Sequence, residues 1–196
     1  MIKNRRDLKY FNERDGIALG VKKENIVYSF IKSIYTTNYI VRFQKLLRKC
    51  EYHKNNRSKF LHKVLFLYYY FFFVRLSAKL GFSIPLNVFG PGLAIVHYGT
   101  IVVSNKAKVG ANCRIHPSTC IGASGGKAEA PIIGNNVYIG PGVKIYGNIT
   151  IADNTAFAAN AAVNKSVTES GYLIGGVPAT KIKEIEIATI IKHIKH

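Results

Sequence analysis

Two side chains in this 196-residue sequence have the type and spacing for proton-transfer chemistry: His97 and His116, 19 residues apart. An imidazole with its ordinary pKa near ~6.5 is matched to removing a proton from a hydroxyl at neutral pH. A lone histidine is more often structural, so the elements that hold the pair decide between the readings. Cys50, Cys113 and Cys120 are odd in number and form no C-x-x-C pair. That argues against a disulfide framework or a zinc site and fits a reducing, cytoplasmic setting.

The positioning elements follow from a six-residue period. Written in blocks of six, the chain gives Val103, Val109, Ile115, Ile121, Lys127, Ile133, Ile139, Ile145, Ile151, Phe157 and Val163 at the first position, with Gly110, Gly122, Gly134 and Gly140 next in four blocks. A short flat strand and a turn make one side of a triangular prism, and three sides close a coil of about 18 residues. Each first-position side chain points inward and stacks on its counterpart one coil away, and only that stacking buries it. Corner Gly, Asn and Asp residues tolerate positive φ. Neither the helical period of 3.6 nor the strand period of 2 describes this stretch. Lys127 keeps the frame but replaces an aliphatic by a polar, Gly-rich segment, which reads as a loop excursion. On this geometry His116 falls close to His97 on the adjacent coil.

The first 84 residues have a different composition, rich in aromatic and basic side chains. Asn25 to Leu47 and Asn56 to Lys79 lack Pro and Gly and read as helices, the second stopped by Gly81 with Pro85 beyond it. A shorter helix is expected within Met1 to Gly20. The run Leu61 to Val74 (LHKVLFLYYYFFFV) is too short for a membrane span. It reads first as a helix packing on a neighbouring subunit, and second as a peripheral membrane contact with aromatics at the headgroups. The tail Lys181 to His196 reads as a short amphipathic helix that caps the prism or meets a partner. The expected organisation is a helical region 1–84, a β-helix domain 85–180 and an amphipathic tail 181–196. The polar stretch Met1 to Asp15 carries no expected signal peptide.

Over about residues 85–183 the chain resembles the hexapeptide-repeat acetyltransferases, most closely their serine acetyltransferase branch. The motifs are GPGLAIVHYGTIVV (Gly90 to Val103), the hexads from Ala107 to Gly122, IIGNNVYIGPGVKIYGNI (Ile132 to Ile149) and GGVPA (Gly175 to Ala179). The resemblance implies a mainly β fold, a left-handed parallel β-helix, assembled as a homotrimer with acetyl-CoA in the groove between prisms. It places the general base on His97. It places CoA main-chain contacts near Gly140 and Ala158, the far end of CoA near Asn164 and Lys165, and a phosphate contact at Lys181. His116, Tyr98 and Asn112 are acceptor-site candidates on position. Only His97 and His116 lie within the repeats, so no metal centre is expected.

Three positions depart from that branch. Val96 stands where a carboxylate precedes the catalytic histidine, Ala130 where a second histidine stands, and Glu129 where an arginine stands. In the serine enzymes those groups hold the amino acid. The expected function is therefore O-acetyl transfer to a sugar hydroxyl of capsule, lipopolysaccharide or exopolysaccharide. Serine O-acetylation is the first alternative and a non-catalytic β-helix scaffold the second. The net charge of +18, from 28 Lys and Arg against 10 Asp and Glu, suits phosphates, anionic headgroups or acidic glycans. No nucleic-acid motif accompanies it, and none is expected as partner.

Overall fold

The structure, a computed structural model, describes residues 1–21 and 38–195. Among them are three α-helices, α1 (Arg5–Ala18), α2 (Tyr39–Asn55) and α3 (Phe60–Leu80), followed by short strands. Asn4 caps α1, accepting a hydrogen bond from the Asp7 amide, while Asp7 reaches back to the cap backbone. That reciprocal pair satisfies two donors that a helix start leaves orphaned. Gly81 ends α3 at φ 76°, a left-handed conformation in which a side chain would be strained. The first expected long helix differs in place: α2 runs on past Leu47 to Asn55, and residues 25–37 lie outside the described residues.

From β1 (Phe82–Ser83) onward the chain winds through three sheets. The first contains β1, β3 (Ile101–Val103), β6 (Thr119–Gly122), β9 (Lys144–Tyr146) and β12 (Ala162–Val163). The second contains β4 (Lys108–Val109), β7 (Ile132–Ile133) and β10 (Thr150–Ile151). The third contains β2 (Ala94–Ile95), β5 (Arg114–Ile115), β8 (Tyr138–Ile139), β11 (Ala156–Phe157), β13 (Tyr172–Gly175) and β14 (Thr180–Glu184). All pairings but β13 with β14 are parallel. Ile133 pairs with Ile151, Ile139 with Phe157 and Ile145 with Val163, each one 18-residue coil on. Across the Lys127 excursion Val109 pairs with Ile133 and Ile115 with Ile139, a step of 24 that inserts one hexad and keeps the frame.

All ten apolar first-position residues are buried, forming one continuous core, and Lys127 is exposed. Of the glycines that follow them, Gly110, Gly134 and Gly140 are demanded by the stacking, as is Gly90 before them, while Gly122 has room for a side chain. A Cβ on Gly90 would lie 2.7 Å from the Gly110 carbonyl oxygen, and one on Gly110 would lie 2.6 Å from that of Gly134. The corners are held by an asparagine ladder: Asn112 donates to Asn136, Asn136 to Asn154, and Asn154 to Ser170. The three asparagines have φ of 55–57°.

A stacked coil leaves unpaired backbone groups at each end, which must be covered. At the start α1 and α2 supply side chains for them. Arg48 is fully buried, paired with Asp15 at 2.8 Å and Glu51 at 3.0 Å, and it donates to the Phe89 and Gly90 carbonyls. Asp15 accepts from the amides of Gly92 and Leu93, and Glu51 from that of Asn87. Gln44 donates to the Leu93 carbonyl and accepts from the Ile95 amide. Burial pushes the Arg48 guanidinium down, but the Glu51 and Asp15 carboxylates outweigh it and leave the group above its ordinary value.

The tail departs from the expected helix. Its alternation in TKIKE pairs as a strand, β14, on the open edge of β13. Two 3-10 turns, Ile187–Thr189 and Lys192–Lys195, follow. Ile187 and Ile191 then pack with Tyr138, Ala156 and Leu173. These three are the outward residues of β8, β11 and β13, so the tail covers the outer face of that sheet instead of plugging the prism. Covering outward apolar side chains requires a chain beside the sheet, which a plug at the prism end does not provide. All three cysteines are free, and burial pushes the Cys50 and Cys113 thiols up to about 12, so neither is a nucleophile at neutral pH.

Candidate functional site

The inward position of each coil on the β2–β5–β8–β11–β13 sheet is followed by a residue at the prism edge, and these residues stack. The Val96 amide donates to the Ile115 carbonyl, His116 to Ile139, Gly140 to Phe157 and Ala158 to Ile174. Val96, His116, Gly140, Ala158 and Gly175 therefore form one column along the prism. At about 4.8 Å per coil, His116 and Ala158 are about 10 Å apart. Below His116 the column is made of small residues. A Cβ on Gly140 would meet the Phe157 carbonyl oxygen at 2.7 Å, and one on Gly175 would meet Ala158 at 2.9 Å. The result is a strip of small residues, buried at Gly140 and Gly175 and half-buried at Ala158, with two imidazoles at its head.

His97 is exposed at the top of this column, and its ring centroid lies 6.5 Å from that of His116. His116 is half-buried, its ring 4.9 Å from the Tyr138 ring, and its Nδ1 lies 3.0 Å from the Ile139 carbonyl oxygen. A carbonyl only accepts, so Nδ1 carries the proton and Nε2 presents a lone pair. Burial holds His116 below the ordinary imidazole range, with Arg114 and His97 pushing the same way against the Ile139 hydrogen bond. The arrangement is an exposed imidazole beside a neutral one of fixed tautomer, separated by a gap that one small polar group can bridge.

The remaining candidates divide by place. Tyr98 is 53% exposed beside His97. Asn112 lies at the other end of the β5 side, about 13 Å from His116 at 3.3 Å per residue. Its amide is committed to Asn136, and it accepts from Arg14 at 3.0 Å. Asn164 and Lys165 are exposed one prism corner on from Ala158, after β12. Lys181, on β14 opposite Ile174, lies beside the foot of the column. It is ion-paired with Glu169 and sits 4.4 Å from the Tyr172 ring centroid. Ala130 is packed in the core, and Glu129 is exposed. Tyr138 escaped the sequence reasoning. Its signal was the outward place just before Ile139, one coil below Arg114 and two residues from the column.

Comparison with known proteins agrees with this architecture. The profile described as "Bacterial transferase hexapeptide (six repeats)" matches residues 130–165, so this stretch carries the hexapeptide-transferase repeat. The chain is 34% identical over 93 residues to the serine acetyltransferase of Mycobacterium tuberculosis (strain ATCC 25618 / H37Rv), covering 46% of this chain and 41% of that protein. It is 35% identical over 98 residues to that of Staphylococcus xylosus, covering 48% and 44%. The matched stretch thus spans about two fifths of the length of these curated relatives. Among solved structures, serine acetyltransferase from Brucella abortus strain S19 superposes with a TM-score of 0.71 at 23% identity, covering 93% of this chain and 72% of that one. The structure of that enzyme in complex with coenzyme A gives a TM-score of 0.70 at 25% identity, covering 93% and 70%.

These relatives overturn the expected sugar acceptor of surface polysaccharide synthesis, since the names they carry are those of serine acetyltransferases. That expectation rested on residues missing at 96, 129 and 130. Those absences were set above His116, an acceptor-site candidate whose ring stands beside His97 from a different coil.

Proposed function

We propose that this protein is an acetyl-CoA-dependent O-acetyltransferase of the serine acetyltransferase type, acting on the hydroxyl of serine. What carries the reading is the exposed His97 imidazole at the head of the small-residue column, in a region similar to the serine enzymes. The coil is left-handed and the protein a homotrimer, with acetyl-CoA along the strip at Gly140 and Ala158 in the groove between prisms. Asn164 and Lys165 meet the far end of CoA. Lys181 exchanges its Glu169 partner for a CoA phosphate.

His97 is the general base. It takes the hydroxyl proton as the oxygen attacks the thioester carbonyl. The C–O bond forms, the C–S bond breaks, and the CoA sulfur leaves with the proton passed back by His97. His116, neutral with its Nε2 lone pair outward, accepts from the serine ammonium, which lies close to the hydroxyl in a β-amino alcohol. In that role it replaces the missing acceptor-site groups. The donor places the reaction in the cytoplasm.

The test is CoA thiol release with serine by wild type, His97→Ala and His116→Ala. Turnover is expected to fall by about 10²–10⁴ in His97→Ala. His116→Ala is expected to raise KM for serine and leave KM for acetyl-CoA unchanged. A chain that neither binds CoA nor responds to His97→Ala is a scaffold, and the proposal fails.

A further inference from the structure

We propose that the outer face of α3 docks this protein on an anionic lipid surface. One side of the helix is spent on the fold: Phe66, Phe73, Leu76 and Leu80 are buried against α2 and the first coil. The other side is apolar and uncovered. Leu61 and Leu67 are each 64% exposed, and Tyr68 and Phe71 more than half. Val64, Phe72 and Val74 extend this stripe along a helix of 21 residues, about 31 Å long at 1.5 Å per residue. A contiguous patch of this kind marks an interaction site.

Charge decides the occupant. Arg57, Lys59 and Lys63 stand at one end of the stripe and Arg75 and Lys79 at the other. Arg57 and Arg75 lie against the rings of Phe66 and Phe71, at 4.5 and 4.8 Å from their centroids. Between Glu51 and Glu129 the sequence holds no Asp or Glu, and Glu51 is itself buried on Arg48. A second copy of this face would bring cations against cations with no carboxylate to meet them. Nucleic acid would match the cations but leave Leu61, Val64, Leu67 and Val74 without a base to stack on. An anionic bilayer satisfies both features, taking the apolar stripe at the headgroup–acyl boundary and the cations at the phosphates. No described helix is long and apolar enough to cross a membrane, so the helix lies in the surface.

The experiment is vesicle co-flotation of the full chain with an equal mixture of phosphatidylglycerol and phosphatidylcholine, against phosphatidylcholine alone. Binding is expected only to the anionic vesicles, weakened by salt. It should weaken at least tenfold in Leu67→Glu/Phe71→Glu, and roughly fivefold or more in Arg75→Glu. The chain has no tryptophan. Phe71→Trp therefore supplies a single fluorescent probe, whose emission should shift to the blue on addition of anionic vesicles even where a charged variant fails to fold. The proposal is overturned by absence of vesicle binding, by an unshifted emission from the Phe71→Trp variant with vesicles bound, or by a loss of oligomer mass in Leu67→Glu/Phe71→Glu without vesicle binding, which marks an interface between copies. Binding of a DNA duplex in place of vesicles overturns it equally.

Discussion

Replacing Arg48 by Met tests how the helices cover the first coil. Methionine fills most of the volume, so the change removes charge and donors and leaves little cavity. Two carboxylates, Asp15 and Glu51, lose their buried cation, and the Phe89 and Gly90 carbonyls lose a donor. Removing one partner of a buried pair costs about 3–5 kcal/mol. Asp15 keeps the Gly92 and Leu93 amides and Glu51 keeps that of Asn87, which holds the loss within that range. Urea denaturation followed by circular dichroism at neutral pH measures the loss. A deficit below about 1 kcal/mol would refute the reasoning.

Two further outcomes follow from the coil and its histidines. Gly110→Ala puts a methyl 2.6 Å from the Gly134 carbonyl oxygen, in a stack that yields only by opening, and is expected to cost about 1–3 kcal/mol in the same assay; an unchanged midpoint would mean the coils are not in this contact. Burial holds His53, His116 and His193 below the ordinary value of 6.5, with further lowering by His62 and Lys49, by Arg114 and His97, and by Arg14 and Arg114 respectively. The unfolded chain therefore takes up protons before the folded one, and stability present above pH 6.5 is lost as pH falls below it. The melting temperature should drop from neutral pH toward pH ~5.5, with a flatter slope when the three are replaced by Gln; a rise on acidification contradicts this.

The prism was legible because each coil repeats one local rule. An aliphatic every six residues, a glycine where the next coil's carbonyl approaches and an asparagine at the corner each report a contact within one turn of the stack. Even the Lys127 excursion preserved the count, and the spacing of His97 and His116 followed from it. Asn112, an acceptor candidate on position, shares its phase with Asn136 and Asn154 and is a rung of the ladder. The caps were not legible. Arg48 in YIVRFQKLLRKCEYHKN reads like any surface arginine, and only docking on a remote coil edge buries it. The tail's strand was masked in the same way, because TKIKE has alternation but takes its partner from β13. The acceptor side was misread for a related reason: absent residues at three positions were weighed above one present residue brought in by the coil.

The central claim is that His97 removes the proton of a serine hydroxyl as acetyl-CoA delivers its acyl group. The direct measurement is free-thiol release from acetyl-CoA with serine, wild type against His97→Ala, with CoA binding followed in both. Serine-dependent release in the wild type, lost by about 10²–10⁴ in a variant that still binds CoA, is the expected result. Serine-dependent release that survives in His97→Ala, or no release in a wild type that binds CoA, would contradict the account.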